Sequence, residues 1–404
     1  MKLAQNRPSD AYSPLYFLAS LGAGGLSTTF FMYLMFWVPH KGRPVPVFED
    51  IMVAFGNGAP LMKAMIIFAM AGIALMTYLN LRLLFWNLSA FFKFNKTEAY
   101  TELKNSNAET TILAMPLAIA MSINVAFIVG LVFVPGLWGV IEYLFPMAII
   151  AFALVGWMTF RYIGDFLGRV LTKGGVFDVT AHNSFSQLLP AFALSMVAVG
   201  MAAPAAMSHT TLTVAISLIL STFIGLTALV YALFGAFTAF DSMLHYGTAK
   251  ESSPTLMMVI PLITVLGIML LRQNHGMHVQ YDAHVTAGET MMMLAKMLSV
   301  QLMFLGLGLV VLKREAYFKD FVFGTKTSPG SYALVCPGVA LSVMLHFFIN
   351  VGLVNAGLVG KFSVAYWLLT AIAIAFQFAM LWLVFRLNKQ HFGKPRATAT
   401  VPAE

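Results

Sequence analysis

Gly330-Ser331-Tyr332-Ala333-Leu334-Val335-Cys336-Pro337-Gly338-Val339-Ala340-Leu341 lies at the start of the ninth long apolar run of a 404-residue chain. The only cysteine of the sequence sits in it, directly before a proline. Proline inside a helix removes one backbone donor and crowds the carbonyl one turn earlier, so a bend is expected there. If the run crosses a membrane, that break persists only where other protein or a water-filled cavity re-satisfies the freed backbone. Cys336 and Pro337 are therefore candidates for one level of a pore or site. The plainer alternative is a small buried hydrophobe, as free cysteine often is.

Working outward, 59% of residues are hydrophobic, only 10% are charged, and the mean hydropathy is +0.82. Soluble domains carry about 25% charged residues, so the expected class is an all-α polytopic membrane protein in a lipid bilayer. The formal charge of +8 does not gather into a basic domain, so nucleic acid is not an expected partner. One cysteine excludes an intrachain disulfide and a multi-cysteine metal site. No phosphate-binding loop, dinucleotide fingerprint or zinc-protease motif appears. The chain is read as no enzyme, with no cofactor and no metal. The first dozen residues are polar, and the first span is read as its own insertion signal.

Apolar runs long enough to cross a bilayer fall at about ten places. The odd-numbered runs carry an early proline, namely Pro14, Pro116, Pro190, Pro261 and Pro337. From the third run onward these recur every 70 to 76 residues, which suggests five repeated helical hairpins. The expected organisation is a segment 1–12, a ten-helix domain 13–391 and a disordered tail 392–404. Most Lys and Arg lie at the termini or after even spans, so both termini are expected to be cytoplasmic. Each odd helix then starts on that side with a capping residue: Ser13, Asn107, Asn183, Ser253 and Ser328. If the five surround an axis, their positive dipole ends favour anions; ordinary capping without a shared axis is the alternative.

Alignment on the prolines places Met115, Leu189, Ile260 and Cys336 at one level, with Ser20 a weaker fit. Pro116, Pro190 and Pro261 are expected helix kinks. Glu109, Thr110, His182 and Asn183 are candidates for the cytoplasmic vestibule, with a water-facing helix end as the alternative. His346, ten residues after Cys336, and Asn350 are candidates for the outer half of the pore. Arg161 with Asp165, and Asp241 with His245, read as structural pairs at a spacing of four. Lys296, with Glu289 seven residues earlier on a similar helical face, reads as a structural ion pair with a neighbouring helix or as a transport site. His275, His278 and His284 read as part of an external connection whose polarity alone explains them; a transition-metal site is the less favoured reading.

Ser13-Pro14-Leu15-Tyr16-Phe17 with Gly22 to Leu26, the later prolines, and Ala333-Leu334-Val335-Cys336-Pro337 resemble the tellurite-resistance/dicarboxylate transporter (TDT) family, which includes TehA and the plant slow anion channels. The resemblance spans nearly the whole chain through short motifs. It implies ten helices in five hairpins, a pore lined by odd helices, a homotrimer and conduction of a small anionic substrate. In the family a phenylalanine before the ninth-span proline occludes the pore, whereas Cys336 is much smaller. The chain also looks like the TsoY subgroup, in which this position is expected to be cysteine or selenocysteine.

Three functional expectations follow. The first is a channel or transporter for small anions (sulfur, selenium or tellurium oxyanions, or dicarboxylates) in a bacterial inner membrane. The second is a membrane redox protein using Cys336 as a reactive thiol. The third is a haem-binding membrane oxidoreductase using histidine pairs.

Overall fold

The computed structural model describes residues 12–173, 177–178, 180 and 184–393. Ten helices are long and apolar enough to cross a membrane, and no strand occurs among the described residues. Their α-helical parts are α1 (Phe17–Trp37), α2 (Pro60–Phe94), α3 (Ala114–Phe133), α4 (Ile141–Lys173), α5 (Leu189–Met201), α6 (Thr211–Tyr246), α7 (Val259–Tyr281), α8 (Ala287–Arg314), α9 (Val335–Phe347) and α10 (Val364–Phe392). A short helix, Ala203–Met207, extends α5, and a π-helical segment, Phe348–Val354, extends α9.

The odd helices form a closed inner ring in which α1 touches α3, α3 touches α5, α5 touches α7, α7 touches α9 and α9 returns to α1. The apolar windows of the odd spans are 67–100% buried and those of the even spans 17–39%. Each even helix packs outside the ring against its own hairpin partner. The protein is thus five hairpins around a central axis.

Each odd helix is preceded by a 3₁₀ segment: Pro14–Tyr16, Asn107–Leu113, Phe185–Leu188, Lys250–Met258 and Pro329–Leu334. At four of the five junctions a proline explains the change of helix type; before α1 the proline, Pro14, opens the 3₁₀ segment instead. Pro116, Pro190, Pro261 and Pro337 cannot donate to the carbonyl four residues earlier and crowd it. That carbonyl lies in the 3₁₀ segment every time, where bonds run to the third residue instead. The Ser186 carbonyl, which Pro190 cannot reach, accepts from the Leu189 N–H. The prolines therefore mark 3₁₀-to-α junctions in the first turn of an α-helix rather than bends in its middle. The five 3₁₀ segments also touch in a closed ring, forming one end of the molecule. Tyr16 and His391 meet at that end, 3.2 Å apart, so we call it the terminal face.

The caps differ in part from the expected set. Ser13 and Ser328 cap their segments, but Ser106 rather than Asn107 caps the third span. Ser184 caps the fifth, and Asn183 lies outside the described residues. Ser253 lies inside its segment and donates to Glu315. The final helix runs to Phe392, one residue into the expected tail; residues 394–404 lie outside the described part.

Glycines let α1 approach two neighbours closely. A Cβ on Gly22 or Gly25 would sit 2.8 Å from Val335 Cγ1 or 2.7 Å from Val339 Cγ1, both on α9. A Cβ on Gly24 would meet Met121 of α3 and Asn80 of α2.

Candidate functional site

The ring encloses a cavity of about 410 Å³. Its deepest lining residues include Cys336 of α9, Pro261 of α7, Leu21 of α1 and Phe192 of α5. From there it runs away from the terminal face to Met35, Pro44, Met207 and His275. Along α7 the lining extends from Pro261 to His275, about 21 Å at helical rise. Cys336 is thus at the floor, 8% exposed.

Beneath the floor the residues expected to share the gate level are packed away from the cavity. Met115 is 5% exposed, and Ser20, Leu189 and Ile260 are fully buried; none lines the cavity. Ser20 ties the first hairpin together, donating to the Asn80 carbonyl at 2.9 Å and accepting at its own carbonyl from Asn80 Nδ2 at 2.8 Å. The Ile260 carbonyl accepts from Gln301 Nε2 of α8 at 3.0 Å. Of the gate set, only Cys336 faces the cavity, and Pro261 joins it from the kink set.

The wall is mainly apolar, with Met121, Met196, Val265 and Val339 in its middle. Its polar side chains are Thr28, Asn124, Thr264, Arg272, His275 and Cys336. Thr264 Oγ1 lies 3.2 Å from the Ala340 carbonyl, bridging α7 to α9. Arg272 is the one Lys or Arg on the wall, and no Asp or Glu lines it. Arg272 Nη1 donates to the Val199 carbonyl at 2.6 Å, in the last turn of α5. Among the described residues no carboxylate pairs with it.

The vestibule candidates divide. Thr110 is fully buried and donates to the Asn107 carbonyl at 3.2 Å. Glu109, 2% exposed, pairs with Arg169 of α4, with Lys104 Nζ at 3.8 Å. It is an interhelical ion pair, not a water-facing group or a cavity residue. His182 and Asn183 lie outside the described residues.

His346 and Asn350 do not face the cavity either. His346 is fully buried beside the rings of Tyr33, Phe36 and Trp37, at 5.9, 6.3 and 6.3 Å. Asn350 Oδ1 accepts from Tyr366 at 2.9 Å, and Tyr366 accepts from Trp37 Nε1 at 2.9 Å. Tyr33 donates to Gln377 in the same α1–α9–α10 seam. Neither ring nitrogen of His346 has a hydrogen-bond partner among the described residues.

Other candidates resolve by geometry. Asp165 lies 4.0 Å from Lys104, and Arg161 stacks over Trp157 at 5.8 Å, so those two do not pair with each other. Asp241 and His245 do, at 3.5 Å. Glu289 caps its own helix with Thr286, while Lys296 is exposed on α8. His275 and His278 lie on α7, which runs on to Tyr281, rather than in a connection. The His278 and His284 rings are 5.0 Å apart, yet no group of three His, Cys, Asp or Glu suited to a metal forms among the described residues. The haem reading needs two histidines facing one another across a porphyrin-sized space; buried His346 and His391 are instead packed against aromatic rings.

No protein-family model matches the chain, and no curated protein matches it.

Proposed function

We propose that this membrane protein is a channel or transporter for small anions, with the central cavity as part of the path and Cys336 at its floor. The carrying observation is the cavity itself. A closed ring of five helices, each entered through a 3₁₀ segment, surrounds a long, apolar space whose only formal charge is the positive one of Arg272. An apolar wall with sparse hydrogen-bond donors and one cation penalises cations more than anions. The resemblance to the tellurite-resistance/dicarboxylate transporter family points the same way. A bacterial inner membrane, cytoplasmic termini and a homotrimer belong to this reading. The cavity would then open to the outside, with the 3₁₀ ring closing the cytoplasmic side.

The direct test is ion permeation in proteoliposomes, comparing nitrate, chloride and sulfate gradients with potassium gradients. Anion flux with little potassium flux is the expected result; cation flux or none overturns the reading. A second reading is favoured by one observation: the Cys336 thiol lines the cavity floor and can be met by a solute inside it. In that case the protein is a membrane redox protein, and turnover consumes an added reductant, such as a dithiol that returns the oxidised Cys336 sulfur to the thiol, rather than a gradient.

A further inference from the structure

Arg272 has a structural task that accounts for only part of its chemistry. Its bond to Val199 covers a carbonyl near the broken end of α5, as a basic side chain does at a helix C-terminus. That uses one N–H of a guanidinium that carries five in a fixed planar fork. No other hydrogen bond from Arg272 to a described residue is formed, and the group lines the cavity. His275 stands one turn further on along the same face of α7 and lines the same wall. Deeper in, Asn124 and Thr28 are the next polar side chains. Asn124 Nδ2 is engaged by the Ala120 carbonyl at 3.0 Å.

We propose that Arg272, with His275 beside it, is the seat at which a compact oxyanion is first held, at the end of the cavity away from the terminal face. This rests on the reading of the cavity as an anion path. The bond to Val199 holds the guanidinium rigid, so the remaining donors are ordered before a ligand arrives. A planar fork gives each of two oxygens of one anion its own near-linear N–H bond, whereas a halide takes both N–H groups on one atom with bent bonds. The class of ligand is therefore a small planar or tetrahedral oxyanion in preference to chloride. From the seat to the floor at Pro261 is about 17 Å of mostly apolar wall, so dehydration begins where the charge is available to offset it.

The test uses thermal unfolding of the purified full-length protein with nitrate, sulfate or chloride at matched ionic strength. The wild type is expected to gain more from the oxyanions than from chloride. Arg272→Gln removes the charge and, being shorter, releases the Val199 carbonyl, so its midpoint without oxyanion falls and is the baseline for its own oxyanion response. Its half-saturating oxyanion concentration rises about ten-fold or more, the size of a lost charge-assisted hydrogen bond. Arg272→Lys keeps the charge without the fork and loses the preference for oxyanion over chloride, which serves if the glutamine variant does not fold. Unaltered oxyanion stabilisation in a folded variant overturns the seat, as does a wild type that gains no more from oxyanions than from chloride. Binding that is lost in the variants while wild-type liposomes pass no anion upholds the seat and removes only the transport reading.

Discussion

His346 is buried with both ring nitrogens unpaired among the described residues, an arrangement that leaves about 1–3 kcal/mol of desolvation unrecovered per group. Replacement by leucine, of similar volume, is expected to raise the thermal midpoint and leave anion flux unchanged; a lower midpoint would mean that the imidazole is bound by something in the seam. Asp320 illustrates a polar group fully provided for. Lys326 and Lys250, at 2.8 and 3.1 Å, hold its carboxyl below the usual carboxylate range. A depressed folded pKa contributes stability that is present above the unfolded value and is lost as pH falls through the folded one. Asp320→Asn should therefore remove an acid-side loss of stability in pH-dependent unfolding, and an identical acid profile in the variant would contradict the clamp. At this scale the sequence was legible where covalent chemistry decides. Pro116, Pro190, Pro261 and Pro337 each fall in the first turn of an odd α-helix, so a junction beside Cys336 could be expected, whereas Pro146 sits inside α4 without one. The direction of His346 could not be. It lies ten residues from Cys336, some 80° around the helix, which is enough to turn it from the cavity into the α1–α9–α10 seam. Arg272 was missed because the apolar run ends at Leu271 while α7 continues to Tyr281, and a polar helix end reads like a connection.

At the scale of the elements, the ten spans were legible because length and apolarity are local properties, while the inner position of the odd helices was only what the family resemblance implied, the spacing of the prolines leaving a shared axis open. The 3₁₀ segments were not legible, since a proline marks a change in the helix without fixing the type or length of the segment before it. Helix contact is decided by small residues as much as by apolar ones. A Cβ at Gly25 would stand 2.7 Å from Val339 Cγ1, and valine has little rotamer freedom with which to yield. Gly25→Ala is expected to destabilise the protein by about 1–3 kcal/mol, the usual size of overpacking. Adding Val339→Ala should restore most of that loss by freeing the same volume. Additive losses in the double variant would show that the two residues do not share the contact.

For the whole molecule, the ring divides the protein into two unlike halves. The half at the terminal face is filled by the 3₁₀ segments and by tightly buried side chains such as Tyr16, Tyr332 and Phe185. The other half is hollow, and the boundary between them runs through Cys336 and Pro261. A path along the axis must cross that boundary, so the residue at the floor should govern flux more than any residue on the wall. The measurement that tests this most directly is anion flux in proteoliposomes carrying wild type, Cys336→Phe or Cys336→Ser. Flux is expected in the wild type, with near-complete block by phenylalanine through loss of open cross-section and flux retained with serine, which is as small as cysteine but lacks its sulfur. Equal flux with phenylalanine would place the path elsewhere; loss with both substitutions would make the sulfur itself the working group, and the floor of the cavity a reaction site instead of a gate.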